Sequence, residues 1–240
     1  MVSLSIVIPA RNEAENIITL VDAIDAVLRP RGEYEIIVVD DGSTDATAAV
    51  LTARAATLPG LRLVRHPTSA GQSAAVHSGV LAARGALICT LDGDGQNPPE
   101  DIPALVAGLE GAEATVGLVA GQRVGRKDTL SKRLASRFAN GLRSWMLGDS
   151  TRDTGCGLKA FRREAFLRLP YFNHMHRYLP ALFARDGWQV RHVDVGHRPR
   201  GAGRSNYSNL QRGLVGIVDL FGVMWLIRRR KTAKPLGEEG

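Results

Sequence analysis

The sequence is short of cysteine, of aromatic residues and of any apolar run long enough to cross a bilayer. Its only cysteines are Cys89 and Cys156, and Cys89 lies in an apolar run, so we expect a reducing compartment and no structural disulfide. Aromatic residues make up only 5% of the chain, which weakens the case for platforms that stack nucleic-acid bases. With 44% apolar and 23% charged residues, the composition is that of an ordinary globular domain.

Several familiar sequence signals are also missing. The first residues, Met-Val-Ser-Leu-Ser, contain no basic or apolar leader segment, which predicts a cytosolic protein. The turn after the first predicted strand lacks both glycine motifs of nucleotide binders, GxGxxG and GxxxxGK[ST]. A dehydrogenase or a P-loop enzyme is therefore not expected.

Basic residues are scarce in the first half of the chain and abundant in the second. Residues 1–120 contain 7 Lys or Arg and 15 Asp or Glu, a net charge of −8. Residues 121–240 contain 24 and 9, a net charge of +15. This asymmetry predicts that the second half meets an anionic partner. A nucleic acid, a phospholipid surface and a phosphorylated substrate all fit that charge.

Apolar runs of strand length alternate with segments of helical periodicity. Strands are predicted at 4–10, 34–40, 61–65, 86–91, 115–121 and 189–195, and residues 155–163 are predicted to be a strand that enters a helix. The alternation predicts an α/β fold with a parallel, doubly wound sheet. Pro9 is expected to end the first strand, Asn12 to cap the first helix, and Ser43 or Thr44 to cap the second.

Acidic residues follow three of the predicted strands. Asp92, Asp94 and Gln96 come directly after the strand at 86–91, and their oxygen atoms suit a hard cation such as Mg²⁺ or Mn²⁺. Glu13 and the pair Asp40 and Asp41 follow the first two strands, so all three groups should meet at one sheet edge. The alternative for the segment after residue 91 is a solvated acidic turn, because Asp and Gly are common turn residues.

Three motifs resemble the signatures of family 2 glycosyltransferases with the GT-A fold: Ile-Pro-Ala-Arg-Asn-Glu, Val-Val-Asp-Asp-Gly-Ser-Thr-Asp and Asp-Gly-Asp-Gly-Gln-Asn-Pro-Pro-Glu. The resemblance runs from about residue 3 to 208 and points to the branch that transfers sugars to dolichyl or polyprenyl phosphate. It implies a Rossmann-like fold with a mostly parallel central sheet, a nucleotide-sugar donor, Mg²⁺ or Mn²⁺, and inversion at the anomeric carbon. By position, Pro9, Glu13 and Asp41 would hold the base and ribose, with Asp40 adjacent. The metal and diphosphate would be held by Asp92, Asp94 and Gln96.

The same resemblance gives the basic half a role in binding the phosphate of the acceptor. The residues implied are Arg123, Arg133, Ser136, Arg137, Arg200 and Ser205. Arginine suits this task because its planar fork donates two hydrogen bonds to one phosphate. Asn206 departs from the lysine that is often found at this position in the branch. The stretch His176–Pro180 is either part of the sugar or acceptor pocket or an ordinary buried helix start.

The nature of the acceptor decides which chemistry is needed. A hydroxyl nucleophile requires a general base, whereas a phosphate monoester is already largely anionic at neutral pH. The second half shows no obvious carboxylate pair for a base and no Gln-x-x-Arg-Trp motif of processive synthases. We therefore expect Asp94, Arg123, Arg133 and Arg200 to serve transfer to polyprenyl phosphate. A saccharide or protein hydroxyl is the alternative acceptor, and a basic nucleic-acid-binding protein is the alternative class.

The last predicted helix, at 210–227, determines the expected setting of the protein. Its apolar core, Leu214–Ile227, has 14 residues, fewer than the roughly 20 that span a bilayer. Leu214, Val218, Phe221 and Trp225 share one face, and the cluster Arg228–Lys231 follows. This pattern predicts an interfacial or re-entrant helix, over 209–231, on an anionic membrane at its cytoplasmic face. The alternative is a helix packed on the domain; a membrane-protein partner or a homo-oligomer is also left open.

Overall fold

The computed structural model describes residues 2–124, 141, 143–149, 151–198 and 209–231, and the side chains of 209–215 are excluded. Its seven strands form one sheet in the order β3-β2-β1-β4-β6-β5-β7. The strands are β1 (Leu4–Ala10), β2 (Tyr34–Asp41), β3 (Leu61–His66), β4 (Leu87–Thr90), β5 (Val116–Arg123), β6 (Lys159–Arg162) and β7 (Gln189–Val195). The predicted α/β class with a mostly parallel sheet is confirmed.

Strand β6 departs from the fully parallel expectation, since it runs antiparallel to both β4 and β5. Its first residue, Lys159, pairs with Thr90 of β4 and with Ala120 of β5. Because the strand is reversed, its beginning lies at the sheet edge where β4 ends. The residues just before β6 therefore reach the same edge as the acidic turn after β4.

Helices pack around the sheet, and residues 143–147 are also helical. The helices described by their full bounds are α1 (Ile17–Leu28), α2 (Thr47–Ala55), α3 (Gln72–Ala82), α4 (Ile102–Glu110), α5 (Arg163–Leu167), α6 (Leu179–Arg185) and α7 (Asn209–Arg229). Alternate residues of β1 point to opposite faces, so Ile6 and Ile8 join the core with α1 and α4, whereas Val7 joins the core with α3 and α6. The sheet thus lies between two apolar layers, and its carboxyl edge is left to the loops.

The predicted helix caps are wrong, because the side chains concerned tie two loops together. Asn12 has a φ of 55°, and its side-chain oxygen accepts a hydrogen bond from the Thr44 N–H at 2.9 Å. The Ser43 hydroxyl accepts the Asn12 N–H at 2.9 Å instead of capping α2. Asp45, and neither Ser43 nor Thr44, accepts the N–H of Thr47 where α2 begins. Pro9 also does not end β1, which continues to Ala10.

Helix α7 has two apolar sides. One packs on the domain, and the other is exposed to solvent. Val223 is fully buried against the core that contains α6, and Leu220 and Met224 pack beside it. The Arg185 guanidinium donates to the Leu226 carbonyl at 3.0 Å, which fastens the helix to α6. The exposed apolar side chains are Ile217, Val218, Phe221 and Trp225. No helix in the described part of the chain is both long and apolar enough to cross a membrane.

Candidate active site

A cleft of about 400 Å³ opens where β1 and β4 end and β6 begins. Its walls come from five parts of the chain: the end of β1, the start of α3, the turn after β4, the segment that leads into β6 and the segment before α6. The polar groups in it include Gln72, Asp92, Lys159, His176 and Arg177. This is the carboxyl edge of the parallel strands, where open α/β sheets bind their ligands.

The carboxylate of Asp92 is held between Gln72 and Gly157. One oxygen accepts a hydrogen bond from the Gln72 side-chain amide at 2.7 Å. The Cα of Gly157 packs against the carboxylate so closely that a Cβ there would lie 2.4 Å from an Asp92 oxygen. Burial and the neighbouring Asp94 raise the pKa of Asp92, and the positive charge of Lys159 lowers it in part. A second positive charge at this carboxylate would therefore be favourable.

Asp94 is close enough to Asp92 for the two negative charges to interact, but its side chain lines a different cavity. It lines a groove of about 210 Å³ with Asn16 and Arg198, on the side of the turn toward α1. One of its oxygens accepts the Gln96 N–H at 3.2 Å, which shapes the turn. Among the described residues, no group of three or more His, Cys, Asp or Glu side chains is placed to hold a metal alone. Metal binding by Asp92, Asp94 and Gln96 therefore stays a prediction, in which diphosphate and water would fill the other positions of the cation.

Asp41 is the last residue of β2, and both of its carboxylate oxygens accept hydrogen bonds from the end of β3 and the loop that leads into α3. It accepts hydrogen bonds from the His66 ring at 2.8 Å, the Ser69 hydroxyl at 2.7 Å and the N–H groups of Ala70 and Gly71 at 2.8 and 2.9 Å. The next residue after Gly71 is Gln72, which holds Asp92. Asp41 therefore fixes the loop that carries Gln72 into the cleft. Its contact with the base or ribose of the nucleotide sugar stays a prediction.

Replacing Asp41 by alanine is expected to lower the free energy of unfolding by about 3 kcal/mol, because four donors would lose the buried, charged acceptor that they share. Burial alone would raise the pKa of Asp41, but its four donors hold it below the usual range. A lowered folded-state pKa contributes stability above the unfolded pKa near ~4, and this contribution is lost as pH falls. Urea unfolding at pH 7 and pH 3 measures both effects. Asp22→Ala, which removes an exposed ion pair to Arg54, is the matched control and should cost under about 1 kcal/mol. Equal stability of the two variants would contradict this role.

The other residues predicted to bind the nucleotide sugar also lie near this edge of the sheet, and they differ in burial and in hydrogen bonding. Asp40 is 1% exposed, accepts the Ser43 N–H at 2.9 Å, and has one oxygen with no hydrogen bond, 3.5 Å from the Arg65 guanidinium. Glu13 accepts the Asn16 side-chain amide at 2.9 Å at the entrance to α1. Pro9 lines the cleft directly. Their donor contacts remain predictions.

The segment before α6 brings His176 and Arg177 into the cleft. The His176 ring is 2.8 Å from the Ser73 hydroxyl in the first turn of α3. Burial, together with nearby Lys159 and Arg177, lowers the pKa of His176 to about 3, so the ring is neutral at pH 7. Burial also lowers the pKa of Lys159, whose amine donates to the Cys156 carbonyl. Of the two alternatives for this segment, the geometry favours a pocket wall.

Arg123 is the last residue of β5 and is held rigidly by Asp153. Its guanidinium makes a bidentate ion pair, with N–O distances of 2.6 and 2.8 Å, and both side chains are largely buried. Its charge also acts on Asp92. The other predicted acceptor residues, Arg133, Ser136, Arg137, Arg200 and Ser205, lie outside the described residues.

Sequence reasoning missed Gln72, Asp153, Gly157 and Lys159. A signal for Gln72 existed, because Gly71-Gln72 follows the third strand at the edge where the carboxylates were expected. No comparable signal marked Lys159 or Gly157, since their place depends on the reversed direction of β6. Asp153 stands in a polar segment without periodicity, and only its contact with Arg123 reveals it.

Comparison with known proteins agrees with this architecture. The family model for glycosyl transferase family 2 matches residues 5–169. The dodecaprenyl-phosphate galacturonate synthase of Rhizobium johnstonii is 37% identical over 232 residues, which are 94% of this chain and 67% of that protein. The undecaprenyl-phosphate 4-deoxy-4-formamido-L-arabinose transferase of Edwardsiella ictaluri is 34% identical over 235 residues, 97% of this chain and 69% of that protein.

Solved structures show the same fold. A mannosyltransferase of Pyrobaculum calidifontis, in complex with GDP-Man and Mn²⁺, superposes with a TM-score of 0.70 at 25% identity, covering 96% of this chain and 65% of that one. Glucosyl-3-phosphoglycerate synthase of Mycobacterium tuberculosis, with Mn²⁺, UDP and phosphoglyceric acid, gives 0.67 at 21% identity, covering 96% and 80%. The chain is a glycosyltransferase and belongs to glycosyl transferase family 2, and its relatives above are polyprenyl-phosphate sugar transferases.

Proposed function

We propose that this enzyme transfers a sugar from a nucleotide-sugar donor to a polyprenyl phosphate, with inversion at the anomeric carbon. The names of the two relatives support the lipid phosphate acceptor. Those names contain two different sugars, a galacturonate and a formamido-arabinose, so they leave the sugar open. The donor base is open as well, because the structures that share the fold hold GDP or UDP.

The single observation that carries the proposal is the charge of the cleft. Of the described residues that line it, Asp92 is the only carboxylate, whereas Lys159 and Arg177 are cations. A hydroxyl acceptor would need a carboxylate or similar base beside the sugar. A phosphate acceptor needs none, and a positive cleft attracts it. The arrangement thus supports a phosphate nucleophile over a saccharide or protein hydroxyl.

Each described group has a definite task in this reaction. Asp92, Asp94 and Gln96 would hold Mg²⁺ or Mn²⁺, which when bound offsets the negative charge of the departing nucleoside diphosphate. Gln72 orients the Asp92 carboxylate through its amide. Arg123 is fixed by its ion pair with Asp153 and places a positive charge at the end of β5. This charge would orient the acceptor phosphate for in-line attack.

A transfer assay tests the proposal directly. The full chain is incubated with Mg²⁺ or Mn²⁺, a short polyprenyl phosphate and a panel of UDP- and GDP-sugars, and the lipid product is identified by mass spectrometry. We expect one donor to give a polyprenyl phosphate sugar of inverted configuration. Transfer to a saccharide or peptide hydroxyl, with none to the lipid phosphate, would overturn the proposal.

Arg133→Ala and Arg200→Ala are expected to raise the apparent KM for polyprenyl phosphate and leave nucleotide affinity nearly unchanged. The reason is the concentration of positive charge after residue 120, a net +15 against −8 before it. Steady-state kinetics with varied acceptor, together with calorimetry of nucleotide binding, separate the two effects. Arg168→Ala, an exposed arginine on the far side of β6, is the control. Loss of nucleotide binding with unchanged acceptor KM would show that the division is wrong.

A further inference from the structure

The first turn of α3 holds two side chains of the cleft at once. The Gln72 side-chain amide donates to Asp92, and the hydroxyl of the next residue, Ser73, lies 2.8 Å from the ring nitrogen Nδ1 of His176. Ser73 is 1% exposed, so its hydroxyl meets almost no solvent. His176 is therefore fixed to the same turn that fixes Asp92, the carboxylate predicted to hold the metal and diphosphate.

The hydrogen bonds of Ser73 decide which nitrogen of the His176 ring carries the proton. The Ser73 oxygen accepts the backbone N–H of His176 at 3.3 Å, and the hydroxyl has one hydrogen to donate. Among the described residues, Nδ1 of His176 is the only acceptor within reach of that hydrogen. Burial and the nearby charges of Lys159 and Arg177 lower the pKa of His176 to about 3, so the ring is neutral. A neutral ring that accepts at Nδ1 carries its proton on Nε2.

The protonated nitrogen of His176 has no hydrogen-bond acceptor within the described part of the protein. The ring lines the cleft, and Nε2 lies on the side of the ring away from the bond to Ser73. The ring is only partly buried, so this nitrogen can meet a ligand in the cleft. An N–H group that would lose its water when the cleft fills is costly unless the ligand supplies an acceptor.

The chemistry of this N–H group favours one part of the substrates over the others. Because Nε2 already carries a proton, His176 cannot take one from an acceptor hydroxyl in the cleft. Phosphate oxygens are charged and are matched better by Lys159 and Arg177, which line the same cleft. The donor sugar is bonded to the diphosphate predicted at Asp92, and its hydroxyl groups are neutral acceptors. A neutral donor such as Nε2–H suits them.

Resting on the proposed function, we infer that His176 binds the donor sugar by donating a hydrogen bond from Nε2 to one of its hydroxyl groups, and that Ser73 holds the ring in this tautomer. His176 then helps to determine which sugar is accepted, and Ser73 is a positioning residue. Donor binding does not involve the lipid acceptor. The inference can therefore fail while transfer to polyprenyl phosphate stands, and transfer can fail while donor binding by His176 stands.

Histidine-selective nitrogen NMR of the full chain tests the tautomer without any substitution in the ring. We expect the His176 signals to show a protonated Nε2 and an unprotonated Nδ1 from pH ~5 to ~8, the range in which an unperturbed histidine titrates. Ser73→Ala should remove this fixed tautomer, because Nδ1 loses its donor. A protonated Nδ1 with an unprotonated Nε2 in the parent protein would overturn the inference.

Calorimetry tests the contact with the sugar. With Mg²⁺ present, the full chain is titrated with UDP against UDP-glucose, with UDP against UDP-galactose and with GDP against GDP-mannose. We expect His176→Leu to weaken binding of the sugar nucleotide about 3- to 10-fold in at least one pair, the range of a neutral hydrogen bond, and to leave UDP and GDP affinity unchanged. His176→Gln, whose amide can donate from nearly the same place, should retain part of the affinity. His77→Leu, a half-buried histidine of α3 that does not line the cleft, should retain all of it.

The calorimetric outcomes that contradict the inference are distinct from one another. Equal sugar-nucleotide affinities of His176→Leu and the parent protein in all three pairs would show that the sugar accepts no hydrogen bond from His176. The same loss for UDP and GDP as for the sugar nucleotides would assign Nε2 to the diphosphate. Unchanged donor affinities together with a raised KM for polyprenyl phosphate would assign it to the acceptor.

Discussion

Asp92→Asn and Asp94→Asn should each lower turnover by about 10²-fold or more, the scale of losing charge stabilisation at a reacting centre. Both carboxylates follow β4, and burial together with the charge of Asp94 raises the pKa of Asp92. Chelation should abolish activity, and Mg²⁺ or Mn²⁺ should restore it. Mn²⁺ binding measured by electron paramagnetic resonance should weaken in both variants, independently of turnover.

The same substitutions should leave the fold intact. Asparagine keeps the oxygen that accepts the Gln72 amide, and it removes a buried charge that Asp94 repels. Urea unfolding should therefore show Asp92→Asn to be as stable as the parent protein. Glu100→Gln, which removes an exposed carboxylate paired with Arg198 close by, is the control and should keep activity and Mn²⁺ affinity. Full activity in chelator, or in Asp94→Asn, would refute the metal assignment.

The position of the acidic turn after β4 could be predicted from the sequence because its causes are local. An apolar run fixes β4, two glycines and two prolines prevent its continuation, and the carboxylates must then lie at the sheet edge. Strands β1 and β2 could likewise be predicted, because they are β-branched runs such as Ile36–Val39, which is buried throughout. Such features need no knowledge of distant partners.

The remaining parts of the site depend on contacts between distant segments. Lys159 reaches Asp92 only because β6 is antiparallel, and nothing in its four residues sets that direction. Gln72 meets Asp92 across a sequence separation of 20 residues, because β1 lies between β2 and β4 and α3 packs across β1 and β2. Asn12 has a high propensity to cap a helix, but its side-chain oxygen accepts the N–H of Thr44 in the loop after β2 instead. Local preference failed where tertiary hydrogen bonds competed with it.

The arrangement of α7 changes how its membrane role must be tested. Removing the chain from Leu210 onward would take away Val223, Leu220 and Met224, which pack on the domain, so loss of vesicle binding could then reflect damage to the fold. The exposed side offers cleaner substitutions, since Phe221 and Trp225 are 55% and 58% exposed. Of the basic cluster, Arg230 contacts the Asp186 carbonyl at 3.1 Å, whereas Arg228, Arg229 and Lys231 are exposed.

We expect the double substitution Phe221→Ser and Trp225→Ser to abolish sedimentation with anionic vesicles while nucleotide affinity and stability stay unchanged. Each aromatic side chain would contribute on the order of 1.5–3 kcal/mol if fully buried among the headgroups, and each exposed basic residue roughly 1 kcal/mol. Together these terms give firm but peripheral attachment, which salt should weaken by screening the basic part. Sedimentation across a salt series measures it, with Leu81→Ser, an equally exposed apolar residue on α3, as the control. Transfer to a lipid acceptor in vesicles should fall in the double variant, but transfer to a short soluble polyprenyl phosphate should not. Equal sedimentation of parent and double variant would show that this side of α7 does not meet the membrane.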